Sequence, residues 1–96
     1  MESQPLKILW RRRAIADLAR LREALPSEIR LRIVERIERS VQQLAQFPLS
    51  GRPGRIGGTR ELVVTQTQFV VAYLVGEHIE ILAVIHGSQI WPENLR

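Results

Sequence analysis

The sequence contains no cysteine. That excludes a disulfide framework and any zinc site built on thiolates, and it fits a reducing cytoplasm. No apolar run approaches the ~18–20 residues a membrane-spanning helix needs. Residues 1–10 lack the basic start, long apolar stretch and small-residue cleavage site of a secretory signal. Aromatic residues are few: two Trp, two Phe and one Tyr in 96 positions. Trp10 and Trp91 read as packing residues rather than a stacking platform, and Tyr73, in mid-strand, suits partner contact better than catalysis. There are only two histidines. His78 and His86 lie eight residues apart along a predicted strand, roughly 26 Å at ~3.3 Å per residue, so they cannot share a metal. No metal and no cofactor are expected. Ser88 has no base and acid arranged around it, which leaves a hydrolase triad unsupported.

What is there is 45% hydrophobic and the right length for a single domain over residues 1–96, with its core within about residues 6–92. The net charge of +4 is unevenly spread. Residues 1–60 hold thirteen Lys+Arg against six Asp+Glu, whereas residues 61–96 hold one Arg against four Glu. Thirteen of the fourteen basic residues are arginine, whose planar fork suits carboxylate or phosphate.

Taken in order, residues 6–10 form a short edge strand. Ile15, Leu18, Leu21 and Leu25 then recur at three- and four-residue steps, one face of an amphipathic helix. Pro26 ends it, Ser27 is the expected N-cap of the next, and a second helix runs over residues 28–46. Its stripe is Ile29, Ile33, Ile37, Val41 and Leu44. Arg13–Asp17, Glu28–Arg32 and Glu35–Arg39 have the spacing of i,i+4 pairs. The arginine run 11–13 at a helix start is electrostatically unfavourable and suggests a partner-facing cluster. After the loop 49–58 come strands at 59–64, 69–75 and 78–85. The last two are joined by Gly76-Glu77, a two-residue hairpin link. The fold class is therefore α+β, β-α-α-β-β-β, with a helical hairpin packed on one face of a mostly antiparallel four-stranded sheet.

That hairpin register sorts the side chains into two faces. Val70, Ala72, Leu74, Ile79, Ile81, Ala83 and Ile85 make an all-apolar face, expected beneath the helices. Phe69, Val71, Tyr73, Leu82 and Val84 share the other face with His78, Glu80 and His86. This mixed face is expected to lie bare and to receive a tightly bound partner.

The loop GRPGR with Arg52 and Arg55, followed by Arg60, is the most concentrated anion-binding candidate. It is not a P-loop, because the G-x-x-x-x-G-K-[ST] spacing is absent. The competing reading is a solvated basic turn between helix and strand. His86, at the sheet end, is either an acid/base group or a structural histidine.

GRPGRIGGTRELVV, FVVAYLV and HIEILAVIHGSQIWP, with the opening LKILWRRRAIADLARL, closely resemble the ParE branch of the RelE/ParE toxin superfamily. The resemblance implies a cytoplasmic toxin of a type II toxin–antitoxin system, involved in growth inhibition and plasmid stabilisation. It further implies a ParD-like antitoxin wrapped over Phe69, Val71, Tyr73, Leu82 and Val84 in a hetero-oligomer that meets operator DNA only through the antitoxin. DNA gyrase is the implied target, contacted through Arg52, Arg55 and Arg60, with no catalytic residue. The alternative is a metal-independent, ribosome-dependent messenger ribonuclease of RelE type using Arg55, Arg60 and His86. A third possibility is a weakly toxic antitoxin-binding module, because the family's two basic residues before the Trp-Pro ending read Gln89-Ile90 here.

Overall fold

The computed structural model describes residues 4–95. Its elements are β1 (Ile8–Trp10), α1 (Arg12–Ala24), α2 (Ser27–Gln43), β2 (Arg52–Pro53), β3 (Arg60–Val63), β4 (Phe69–Val75) and β5 (Ile79–His86). The sheet has five strands in the order β1-β5-β4-β3-β2, with β1 parallel to β5 and every other pair antiparallel. The α+β class and the helical hairpin are as expected. The fifth strand, Arg52–Pro53, lies in the stretch expected to be loop, where it pairs with Arg60 and Glu61.

The second helix begins slightly differently from expectation. Ser27 is the first residue of α2 rather than its cap, and makes no capping bond. Pro26 takes that position, its carbonyl accepting from Ile29 and Arg30 main-chain N–H groups. Arg30 in turn donates from its guanidinium to the Leu25 carbonyl, a cation placed at the negative end of α1. The buried stripe of α1 is Ala14, Leu18 and Leu21, with Ile15 out in solvent. That of α2 is Val34, Ile37 and Val41, continued by Leu44, with Ile29 exposed. Of the expected intrahelical pairs only Arg13–Asp17 approaches closure, at 3.9 Å. Among the described residues, Glu28–Arg32 and Glu35–Arg39 stay apart; the helices are instead cross-linked by Arg22 and Glu38 at 3.7 Å. The arginine run finds a use inside the chain, since Arg11 clamps Glu80 of β5 through Nε and Nη2 at 3.1 and 3.0 Å.

The faces of the β4–β5 hairpin differ from the sequence reading, for two local reasons. Val75 pairs with Ile79, so the turn holds three residues, Gly76 to His78, with the Gly76 N–H donating to the His78 carbonyl. A β-bulge then follows: Tyr73 pairs with Ile81 but Ala72 pairs with Ala83, leaving Leu82 without an opposite residue. Each irregularity shifts the alternation by one residue.

Consequently Phe69, Val71, Tyr73 and Val84 lie beneath the helices, in a core with Leu18, Leu21, Ile37, Val41, Ile79 and Ile81. Leu82 belongs to the opposite face, with Ala72, Ala83 and Ile85. The expectation that Phe69, Val71, Tyr73, Leu82 and Val84 form one bare antitoxin-binding face is therefore overturned. Val71, Tyr73, Leu82 and Val84 are all buried by the chain itself, and Phe69 is half-buried. The opposite face is not bare either. Residues 87–95 fold back across it and place Trp91 and Leu95 over that second cluster.

Candidate functional site

The loop between α2 and β3 is held by three side chains of the sheet. Tyr73, fully buried, accepts a hydrogen bond at its hydroxyl from the Gly51 N–H at 2.9 Å and donates to the Pro48 carbonyl at 2.8 Å. Gly51 has to be glycine, because a Cβ there would sit 2.6 Å from the Tyr73 oxygen and 2.7 Å from the Glu61 carbonyl. Arg60, opposite Tyr73 in register, sends Nη2 to the Leu49 and Gly51 carbonyls at 3.2 and 2.7 Å.

Glu61 points to the other side of the sheet. Its side chain is 3% exposed and gathers both loop arginines. Arg52 reaches Oε1 with Nε and Nη2 at 3.2 and 3.0 Å. Arg55 reaches Oε2 with its main-chain N–H at 2.8 Å and its Nε at 3.0 Å. Burial pushes the carboxyl pKa up. The bonds from the Arg55 side chain, the Arg55 N–H and Arg52, with the Arg55 charge, outweigh burial and hold it below the ordinary value. Arg55 also lies over Trp91, with its guanidinium carbon 3.7 Å from the ring centre. One arginine thus links the loop carboxylate to the C-terminal segment through an ion pair and a cation–π contact.

The three candidate arginines therefore occupy different settings. Arg52 and Arg55 share one counter-ion on the outer face. Arg60 lies on the helix side, with backbone carbonyls as its only hydrogen-bond partners among the described residues. His86 is at neither place. It pairs with Phe69, four residues along β4 from the Tyr73 that faces Arg60, or about 13 Å at ~3.3 Å per residue. Its Nδ1 accepts from the Ser88 main-chain N–H at 3.2 Å and the Ser88 hydroxyl at 2.7 Å, and Nε2 donates to Gln68. The expected convergence of Arg55, Arg60 and His86 on one phosphate does not occur: two faces and two ends of the sheet separate them. Among the described residues no group of His, Asp and Glu is placed to hold a metal ion.

Glu61 is the residue that sequence reasoning missed. It is the sole acidic residue between Glu38 and Glu77, and three arginines precede it within ten positions; that isolation was the available signal. Gln68 and Ser88, which fix the His86 ring, carried none.

Comparison with known proteins decides the family. The profile described as the ParE toxin of the type II toxin–antitoxin system, parDE, matches residues 8–91. The chain belongs to this ParE toxin family. It is 38% identical over 92 residues to the Y4kP protein of Sinorhizobium fredii, described as a candidate toxin, covering 93% of this chain and 96% of that one. Its fold matches a chain of the chromosomal ParDE toxin–antitoxin system of P. aeruginosa, with a TM-score of 0.77 and 28% identity over 88% of this chain and 98% of that one. A chain of the RelBE2 toxin–antitoxin complex of Mycobacterium tuberculosis shares the fold at a TM-score of 0.62 and 23% identity, over 88% of this chain and 94% of that one. For this ParE-family toxin the strand carrying Arg60 and Glu61 lies inside the matched region, as do the hairpin and Trp91.

Proposed function

We propose that this ParE-family toxin inhibits DNA gyrase in the cytoplasm and is neutralised by a ParD-like antitoxin, through which alone it meets operator DNA. The observation that carries the choice of target is the dispersal of Arg55, Arg60 and His86 over two faces and two ends of the sheet. A ribonuclease working by acid/base chemistry needs its proton donor, base and charge-stabilising groups around one phosphorus. An inhibitor that works by binding needs only a complementary surface. The P. aeruginosa ParDE match supports a ParD-like partner.

Purified protein added to gyrase, plasmid DNA and ATP tests the target. Loss of supercoiling with accumulation of cleaved plasmid is expected, with relief on adding the antitoxin. Unchanged supercoiling at micromolar protein, together with cuts inside codons of translated messages, would replace gyrase by the ribosome. Normal growth and normal nucleoids on induced expression would instead favour the weakly toxic module. A specific feature gives that reading weight: Ile90 is 93% exposed, and Gln89, exposed as well, accepts from the His86 N–H at 3.0 Å. Two neutral residues thus stand where the family resemblance leads one to expect charge.

A further inference from the structure

Two arginines of α2, Arg32 and Arg36, have side chains with no hydrogen-bond or ion-pair partner among the described residues. Glu28 stands four residues before Arg32, yet the two do not pair. Arg36 has Arg32 itself at that spacing, where like charges repel. It is also half-buried, so its charge is partly withdrawn from water with nothing opposite it. Four residues of helix put the two arginines about 6 Å apart along the axis. Both line a cleft of about 440 Å³ between α2 and the turn from β3 to β4, together with Ile29, Ile33 and Gln66. Gln66 is strained. Its φ is 62°, and among the described residues it is the one non-glycine residue in the left-handed region. It is the third residue of a turn closed by the Thr67 N–H, which donates to the Val64 carbonyl at 3.2 Å, a place that glycine fills without strain. Its amide has no partner among the described residues. Strain held at such a residue points to a use for its side chain.

We propose that this cleft binds the phosphate backbone of duplex DNA: Arg32 and Arg36 each take a phosphate of one strand, and the Gln66 amide donates to a phosphate oxygen. A strand of DNA brings a row of charges, which suits two like-charged arginines set along a helix better than one carboxylate does. The surroundings favour DNA over a protein. Further along the same side of α2 come Arg39 and Gln43, both exposed, and the apolar part of the cleft is limited to Ile33, half-buried, and Ile29, 37% exposed. A protein partner needs an apolar centre to its interface, whereas protein–DNA interfaces are polar and strongly basic. Phosphate contacts carry no sequence information, so the choice of operator stays with the antitoxin. The inference rests on the reading that this toxin arrests gyrase on DNA, and it places part of the grip on the DNA that the enzyme holds.

Affinity of the full chain for a short labelled duplex, measured by fluorescence anisotropy over a range of salt, tests the site. Thermal melting of each variant establishes folding. Arg32→Gln/Arg36→Gln is expected to lose about tenfold or more in affinity, with the slope of log K on log salt flatter by about 2, one unit for each phosphate contact removed. Lys7→Gln/Arg12→Gln removes the same charge from exposed positions elsewhere and should lose far less. Gln66→Gly is expected to lose about three- to tenfold, the scale of a neutral hydrogen bond, while its melting temperature holds or rises because the left-handed strain is gone. A merely structural Gln66 would give the second result without the first. Wild-type affinity in the arginine double variant or in Gln66→Gly overturns the proposal, as does an equal loss in the Lys7/Arg12 control. Lost affinity for the antitoxin with DNA affinity intact overturns it in favour of an acidic protein partner. Gyrase inhibition on plasmid DNA is read for the same proteins. A wild type that binds DNA through this cleft but leaves gyrase active removes the gyrase reading alone, and one that inhibits gyrase while every variant binds DNA equally removes this site alone.

Discussion

Glu61 and Arg55 are joined twice through a single oxygen: the Arg55 main-chain N–H and its Nε both reach Oε2, at 2.8 and 3.0 Å. A side chain that binds both the backbone and the guanidinium of one residue fixes the path of the loop as well as its charge. With Arg52 on Oε1, the carboxylate organises the whole 51–55 segment from within the sheet.

Replacing that carboxylate should therefore cost stability in a pH-dependent way. Glu61→Gln is expected to destabilise by about 1–3 kcal/mol at neutral pH, since charge-assisted bonds become neutral ones and an amide N–H₂ faces guanidinium donors. The folded pKa lies below that of the unfolded chain, so folding favours the ionised form. This contribution is fully present above the ordinary glutamate value of about 4.3 and is lost as pH falls through the lower folded value. Urea denaturation at pH 7 and again below pH 4 checks it: the gap between wild type and variant should shrink in acid.

Tyr73→Phe removes two buried hydrogen bonds and leaves the Gly51 N–H without its acceptor. The expected loss is about 1–3 kcal/mol. Amide exchange should quicken at Gly51 while the β4–β5 ladder, which the hydroxyl does not touch, stays protected. Uniform acceleration along β4 would mean that the ring, not the hydroxyl, was disturbed.

Gly51→Ala is expected to be worse than an ordinary glycine replacement. The new methyl group would meet the Tyr73 oxygen and the Glu61 carbonyl well inside van der Waals contact. Overpacking of this kind costs about 1–3 kcal/mol. Pairing it with Tyr73→Phe should recover part of the loss, because the closest clash is removed. A strictly additive double variant would show that the Glu61 carbonyl and the edge of the residue-73 ring, which both remain, set the limit.

Asp17 supports the part of β5 that β1 does not reach. Its Oδ2 accepts from the Val84 N–H at 3.0 Å, and its other oxygen holds Arg20. Asp17→Ala should lower stability by about 1–2 kcal/mol, whereas Asp17→Asn, which keeps an acceptor, should lose less. Chemical denaturation of both variants separates the hydrogen bond from the charge; equal losses would assign the effect to Arg20.

Much of the fold was legible because hydrophobic spacing reports local geometry. The change of period from helix to strand, the break at Pro26 and the apolar runs of β4 and β5 follow from residues close together in the chain. The arginine loop was legible too, as a concentration of charge. What it does was not, since nothing near Arg52 or Arg55 says that Glu61 will stand between them. That depends on β2 folding back on β3, with Arg52 opposite Glu61.

The amino-acid order by itself determined the two helices and four of the five strands, which family the chain resembles, and that its charge would gather in the loop and helices. The tertiary structure alone decided which side of the sheet each strand residue occupies. Alternation is a parity, and a third turn residue at His78 followed by an unpaired Leu82 each reverse it. Neither feature alters the apolar pattern enough to be read from it. Only packing against Leu18, Ile37 and Val41 settles that Tyr73 points inward, and the same choice left Arg60 oriented by main-chain carbonyls, with no counter-ion among the described residues.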